Sequence, residues 1–217
     1  MPARRMFIVA GPPGGGKSSL FSLSHFADHI FNADDRAAEL NGGSYEGIPL
    51  SVRAVVNREF EEFVHANIRA GTSFALETTL RSTITFEQAR LAMENGFRVS
   101  MWYVALDTVE HHIERVKRRA ALGGHAASER TLRTIHASSL GNLPLALSPT
   151  KSAIEIIRIY DNSRLESRPS LVLEARQGRI VRLAESFPGW LQAALAWTPH
   201  DLERRRRELA RHREMDR

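Results

Sequence analysis

The stretch GPPGGGKSSL at residues 11–20 constrains the fold more than any other part of the chain. It follows the apolar run RMFIVA, which predicts a buried strand over residues 5–10. The stretch fits G-x-x-x-x-G-K-[ST], a loop whose backbone N–H groups and following helix bind phosphate oxygens. A strand, a phosphate-binding loop and a helix in this order predict a site for a nucleoside triphosphate with magnesium.

Each residue of this loop has an expected part in the site. Lys17 is expected to bridge terminal phosphate oxygens, and Ser18 to ligate a magnesium ion. The chain contains only three lysines, and one of them occupies the position that the motif requires. The other residues expected to contact ATP here are Gly11, Pro12, Pro13, Gly14, Gly15, Gly16 and Ser19.

The order of elements along the chain indicates an α/β fold. Apolar runs of strand length alternate with segments of helical periodicity, which predicts a P-loop NTPase or kinase-like parallel sheet flanked by helices. A C-terminal hairpin turning at Gln177 and Gly178, then two helices, should complete it. Three boundaries are expected: a first helix running to Ala27, a second strand over residues 29–35, and a helix from Ser128 to Leu140.

Composition favours one cytoplasmic domain with a basic tail. Residues 1–198 are expected to form a single kinase-like domain with a lid near 115–130, and residues 199–217 a basic helical tail. The chain carries a net charge of +5, but the tail mixes seven basic with five acidic residues, so we expect a solvated helix rather than a nucleic-acid contact. The absence of cysteine excludes disulfides, thiolate metal sites and thiol nucleophiles. The N-terminal apolar run is too short for a signal peptide or a membrane span, so no membrane contact is expected.

Candidate catalytic residues follow the predicted strands, where α/β sheets bind ligands. Asp34 in FNADD is the candidate base that deprotonates an incoming hydroxyl. Asp35 could equally cap the next helix, and both residues could instead be strand-end caps. Glu77 in FALETT could hold magnesium through water or grip the acceptor. Thr78 either contacts the acceptor or merely starts the next helix.

The segment IERVKRRAALGGHAASER is the candidate lid. Phosphoryl transfer builds negative charge on the moving group, and a lid arginine can stabilise that charge. Arg115 and Arg119 share a helix face at i, i+4 spacing, although a solvated basic face explains the same pattern. His125 is expected on an exposed loop, as a substrate contact or as polar surface. Asn162, in IYDNS, is a candidate contact to adenine or part of an ordinary Asx turn.

Taken together, these motifs resemble the zeta toxin family and its zeta-like P-loop kinases. The resemblance rests on GPPGGGKSS, FNADD, ALETTL, IERV with GGH and SLGNL, and YDNS, in this order over roughly residues 5–165. It implies a kinase that transfers the γ-phosphate of ATP to a sugar hydroxyl of a nucleotide sugar, UDP-N-acetylglucosamine in the best-known toxins. The resemblance also implies roles for five residues. Lys17 would contact the phosphates, Ser18 would bind magnesium, and Asp34 would act as the base. Glu77 would lie near the acceptor, and Arg115 would contact the phosphate that is transferred.

Other features of the family fit this chain less closely. A family glutamate on the helix before the third strand would correspond to Glu61. The position of a second lid arginine holds His125, and the alternatives for that arginine are Arg118, Arg119 and Arg130. A toxin of this family would have an antitoxin as its protein partner. Two other functions stay open, namely another small-molecule kinase and a non-catalytic ATP-dependent binding module that docks through its tail.

Overall fold

A computed structural model describes residues 3–44, 47–121, 127–164 and 168–215. Its strands are β1 (Arg5–Ala10), β2 (His29–Phe31), β3 (Phe74–Thr78), β4 (Arg98–Ala105), β5 (Ile156–Asp161), β6 (Ser170–Arg176) and β7 (Arg179–Leu183). They form one sheet in the order β2-β3-β1-β4-β5-β6-β7, in which the first five strands are parallel and the last two are added antiparallel. The predicted α/β fold is thus confirmed.

Helices cover the sheet and connect its strands. They are α1 (Lys17–Leu20), α2 (Ala33–Leu40), α3 (Leu50–Ala70), α4 (Ile84–Glu94), α5 (Val109–Ala121), α6 (Glu129–Ala146), α7 (Pro149–Ser152), α8 (Gly189–Ala194) and α9 (Pro199–Met215). The sequence analysis assigned no helix at α7, and it gave α2 only as the helix that Asp35 could cap. Within the described ranges, no helix is both long and apolar enough to cross a membrane.

The main core lies between one face of the sheet and helices α3, α4, α6 and α8. Alternate residues of the central strands, such as Ile8, Leu76 and Met101, point into it and are fully buried. The buried hydroxyl of Tyr103 pairs with Ser139 Oγ of α6 at 2.9 Å, and burial raises the pKa of this phenol well above its usual value. Burial of these apolar side chains stabilises the sheet and holds its strands in place.

The carboxyl ends of the five parallel strands lie at one edge of the sheet. Val9 of β1 is level with Glu77 of β3, and Phe31 of β2 is level with Leu76. The segments that follow β1, β2 and β3 therefore leave the sheet side by side. Because β3 lies between β1 and β2, the ends of β1 and β2 are about 10 Å apart.

The first helix is shorter than predicted. It ends at Leu20 rather than Ala27, because Phe21 leaves the helical conformation at φ −134° and ψ 81°. Its ring packs instead against Trp102 and Tyr160, with centroid distances of 4.9 and 4.8 Å. A single 3₁₀ turn, Leu23–His25, follows. Packing of one aromatic side chain on the second face of the sheet thus overrides the helical pattern.

The other two expected boundaries also differ from the structure. The second strand ends at Phe31 rather than residue 35, because Asn32 caps α2. Ser128 Oγ does accept a hydrogen bond from the Thr131 N–H as a helix cap, but α6 continues beyond Leu140 to Ala146. The helix packs on the sheet through Leu143, which is fully buried, so tertiary burial extends it.

The C-terminal segments pack beside the sheet. The hairpin turns at Gln177 and Gly178, as the sequence predicts. From α9, Arg206 Nη2 donates hydrogen bonds to the carbonyl oxygens of Ala184 and Glu185, at 3.3 and 2.5 Å. Arg205 lies over the Trp197 ring at 4.3 Å. Two of the tail's arginines thus hold α9 against the end of the sheet.

Candidate active site

Residues 11–16 form a tight loop between β1 and α1. The Gly11 N–H donates to the Thr78 carbonyl at 3.2 Å, which ties the loop to β3. Gly14 has φ 78°, and a Cβ there would lie 2.4 Å from the carbonyl oxygen of His112. Gly16 has φ 91°, and a Cβ there would lie 2.6 Å from Asn162 Nδ2. Only glycine fits these two positions, both for backbone conformation and for space.

Lys17 lies inside this loop. Its side chain is only 7% exposed, and Nζ donates to the carbonyl oxygens of Gly11 and Pro12 at 2.9 and 3.2 Å. Glu77 Oε1 lies 3.6 Å from the same nitrogen. The ammonium group, paired with two carbonyl oxygens and one carboxylate, lies at the point where the motif binds phosphate.

Glu77 also contacts Ser18, whose Oγ donates to Glu77 Oε2 at 3.0 Å. Magnesium prefers oxygen ligands and usually takes only one or two from the protein, with water and substrate phosphates completing its shell. A hydroxyl and a carboxylate in contact fit this preference. The described residues include no group of three or more His, Asp or Glu side chains that could hold a metal ion.

Asp34 lies in the first turn of α2 rather than at a strand end. Asn32 Oδ1 accepts the N–H groups of Asp34 and Asp35 at 3.0 and 3.4 Å, so Asn32 is the helix cap. The Asp34 carboxylate is about half-exposed, and its Oδ1 lies 3.2 Å from Arg53 Nη1 of α3. It stands at the same edge as the phosphate loop, on the far side of β3.

His112 of α5 is a site residue that the sequence analysis did not single out. It is 2% exposed; its Nδ1 lies 2.8 Å from the Pro13 carbonyl oxygen, and its Nε2 accepts the Leu106 N–H at 2.9 Å. Burial lowers the pKa of His112 to about 3, so the ring stays neutral. The only sequence signal is the pair His111 and His112 after β4, since at 100° per residue just one of two neighbours faces the core.

Asn162 supports the loop from the β5 side. It is buried, and its Nδ2 donates to the Gly15 carbonyl at 2.9 Å. Arg115 Nη2 in turn donates to the Asn162 carbonyl at 2.9 Å. The structure therefore brings Arg115 and Asn162 together beside the phosphate loop, while the contact of Asn162 with adenine stays a prediction.

Thr78 forms a backbone turn rather than an open contact surface. Its Oγ1 accepts the Leu80 N–H at 3.1 Å and lies 3.5 Å from Thr85 Oγ1. Leu80 is fully buried with φ 57°, a strained value for leucine, and its carbonyl accepts a hydrogen bond from Asn142 Nδ2 at 3.0 Å. This turn holds the backbone directly after Glu77.

The remaining candidates lie farther out. Glu61 is exposed on α3, about 12 Å of helix farther from the site edge than Arg53. Arg119 is exposed on α5, and Ser19 is exposed on α1. His125 lies outside the described residues. The structure thus gathers Lys17, Ser18, Glu77, Asn162 and Arg115 closely, with Asp34 across β3, and does not bring Glu61 to them.

Comparison with known proteins gives a relative for this chain. No protein-family model matches it. An uncharacterized protein of Haemophilus influenzae is 30% identical over 126 residues, which cover 58% of this chain and 87% of the relative. The chain belongs to the family of that protein.

Similar solved structures define the fold more closely. One comes from the PezAT chromosomal toxin–antitoxin system of Streptococcus pneumoniae, with a TM-score of 0.61, 17% identity, and coverage of 97% of this chain and 88% of that one. Another is the AvrRxo1-ORF1:-ORF2 complex, with a TM-score of 0.63, 12% identity, and coverage of 96% and 76%. The same complex with ATP gives a TM-score of 0.60 at 13% identity, over 82% of this chain and 60% of that one. The fold is that of a zeta-toxin-like P-loop kinase.

Proposed function

We propose that the protein is an ATP-dependent phosphotransferase that moves the γ-phosphate of ATP to a hydroxyl of a small molecule, namely a nucleotide sugar. One observation carries this proposal: a single carboxylate, Glu77, contacts both Lys17 and Ser18, and a second carboxylate, Asp34, stands beyond β3 at the same edge. The first cluster suits a triphosphate with its metal. The second suits a proton acceptor for an attacking hydroxyl.

Each residue of the site has a part in the proposed reaction. Backbone N–H groups of the loop and Lys17 bind the phosphates. Ser18 and Glu77 would hold magnesium, which would neutralise charge on the phosphate oxygens. Asp34 accepts the proton of the acceptor hydroxyl as its oxygen bonds to the γ-phosphorus. The bond from that phosphorus to the oxygen of departing ADP breaks, and Arg115 balances the charge that develops.

The acceptor and the partner are the finer parts of the proposal. Arg53 contributes a cation beside Asp34, which suits an acceptor that carries phosphate groups, as nucleotide sugars do. Arg119 and His125 belong to the candidate lid, and with Thr78 they remain proposed acceptor contacts, whereas the position of Glu61 on α3 does not favour such a contact. An antitoxin is the proposed protein partner, supported by the PezAT system to which one structural neighbour belongs. The cytoplasmic location stays a prediction.

The test is magnesium-dependent ADP release across a panel of nucleotide sugars and nucleosides, with water alone as the reference. Asp34→Asn should reduce acceptor-dependent turnover by about 10²–10⁴-fold, the usual contribution of a general base. Asp35→Asn is the matched control, because it removes the same charge from the same helical turn, and it should retain turnover. Equal losses in both variants would refute the assignment of Asp34 as the base.

The alternative, a non-catalytic binding module, gives a different result in the same assay. ATP would bind tightly and stay intact with every acceptor. Deletion of residues 199–217 would then abolish partner binding, whereas phosphate transfer by an enzyme should survive unless the loss of α9 unfolds the hairpin. A thermal melt of the truncated chain separates these last two outcomes.

A further inference from the structure

The phosphate loop, residues 11–16, is contacted through a carbonyl group by His112, a residue that the proposed reaction does not use. In an anion-binding loop the N–H groups face inward. A trans peptide plane sets each N–H opposite the carbonyl of the preceding residue. When the Pro13 carbonyl faces outward, the Gly14 N–H therefore faces inward. In the same way, an outward Gly15 carbonyl turns the Gly16 N–H inward.

Two side chains hold these two carbonyls. His112 binds the Pro13 oxygen at 2.8 Å, and Asn162 binds the Gly15 oxygen at 2.9 Å. Each comes from an element outside the loop, α5 and the end of β5 respectively. These two bonds fix the orientation of the Pro13–Gly14 and Gly15–Gly16 peptide planes.

The tautomer of His112 follows from its partners. The Leu106 N–H can only donate, so Nε2 must accept, and the proton lies on Nδ1, which donates to Pro13. Burial keeps the pKa of the ring near 3, and its charged or titratable neighbours Lys17, Arg115 and His136 act in the same direction. The ring consequently remains the same donor and acceptor throughout the working pH range.

We infer that His112 is a positioning residue for phosphate binding, which fixes the Pro13–Gly14 peptide so that the Gly14 N–H faces the bound phosphate. The inference rests on the proposed function, because it requires that the loop bind phosphate groups. It also links the loop to the proposed lid, since Arg115 follows on the same helix and bonds to the Asn162 carbonyl.

The two ring nitrogens allow this role to be separated from simple structural support. The amide nitrogen of Asn reaches the position of Nδ1, whereas the amide of Gln reaches that of Nε2. His112→Asn therefore keeps the bond to Pro13 and loses the bond to Leu106, and His112→Gln does the reverse. His111→Asn is the matched control, because His111 is half-exposed and bonds to Asp107 at 2.6 Å instead of to the loop.

The experiment measures binding of inorganic pyrophosphate and of magnesium ATP by calorimetry, together with the melting temperature of each variant. His112→Gln should weaken binding of both ligands about tenfold, or about 1.4 kcal/mol. His112→Asn should stay within about threefold of wild type, and so should His111→Asn. The melting temperatures of the Asn and Gln variants of His112 are expected to fall together.

Three outcomes overturn the inference. If His112→Gln binds pyrophosphate as wild type does, the Pro13 bond does not position the loop. If affinity follows melting temperature in both variants, the role of His112 is structural. If wild type binds neither ligand, the proposed function fails and the inference fails with it. If wild type binds both ligands and transfers phosphate, and His112→Gln binds them equally well, the inference about His112 fails while the proposed function stands.

Discussion

Ser18 Oγ donates a 3.0 Å hydrogen bond to Glu77 Oε2 and joins the first turn of α1 to the end of β3. The other oxygen of the same carboxylate lies 3.6 Å from Lys17 Nζ. The sequence left two roles open for Glu77, water-mediated magnesium binding and acceptor binding. Because the Glu77 carboxylate contacts both the ammonium group of Lys17 and the hydroxyl of Ser18, the structure favours the role of Glu77 at the metal.

The first prediction concerns the magnesium requirement. Glu77→Gln removes the charge but keeps the size and the possible bond to Ser18, so it should raise the magnesium concentration for half-maximal activity about 10–100-fold. ADP release measured against magnesium concentration tests this. Glu114→Gln, on the exposed face of α5 beside Arg118, is the control and should leave the curve unchanged. If only the KM for the acceptor changes, Glu77 contacts the acceptor and not the metal.

The second prediction concerns Arg115. Arg115→Met should lower kcat about 10³-fold, because an arginine that balances charge on the transferring phosphate contributes at least that much. ATP affinity should change by less than about threefold, since the loop and Lys17 remain. Steady-state kinetics with calorimetry separates the two quantities.

Arg118→Met is the matched control for Arg115. Arg118 lies on the same helix, but its side chain is about two-thirds exposed and pairs with Glu114 at 3.0 Å. It should retain kcat. If both variants lose activity equally, the effect comes from the net charge of α5 and not from one placed guanidinium.

The sequence predicted the sheet, the loop and the hairpin because each depends on local patterns. The apolar runs bounded by glycine give the strands, and Gly14 and Gly16 are needed wherever the backbone adopts positive φ. The neighbourhood of Lys17, Ser18 and Glu77 also follows, since residues after parallel strands meet at one edge.

Contacts between distant segments were beyond the reach of those patterns. The α1 helix ends early because Phe21 packs on Trp102 and Tyr160, residues more than 80 positions away. His112 meets Pro13 across almost half of the chain; helical periodicity places it on the apolar face of α5 with Ile113 and Val116, but no local pattern shows which segment it contacts. Such pairings depend on tertiary packing, which overrides local propensity.

The third prediction concerns stability and pH. The folded pKa of His112 is lowered to about 3, below the unfolded value of 6.5. The unfolded chain therefore binds a proton that the folded chain does not, and stability falls as pH drops from 6.5 toward 3. The expected loss is up to about 1.4 kcal/mol per pH unit from this group. Urea unfolding at pH 7, 6 and 5 measures it.

The range from pH 7 to 5 isolates the histidines. Carboxylates whose pKa values are lowered by arginine neighbours, such as Glu59 and Glu155, lose their contribution only below their unfolded pKa of 4.5. Burial also lowers the pKa of His136, which adds a slope of the same sign. His112→Asn should therefore flatten the pH dependence without abolishing it. An unchanged slope would mean that His112 titrates normally in the folded protein.

The fourth prediction concerns the hairpin between β6 and β7. Gln177 and Gly178 have φ 49° and 75°, the two positive values of a type I′ turn. Asn tolerates the first position better than Gln, and the Gln177 side chain is exposed, so little packing is lost. The bond from the Gln177 N–H to the Glu155 carbonyl at 2.7 Å belongs to the backbone and is retained. Gln177→Asn should therefore raise the free energy of unfolding by about 0.5–1 kcal/mol and the melting temperature by about 1–4 °C.

Gly178→Ala puts a side chain at the second positive φ, so it should lower both the free energy of unfolding and the melting temperature. Calorimetric melts of the two variants test this pair of predictions. If both melting temperatures move in the same direction, the assigned turn is contradicted.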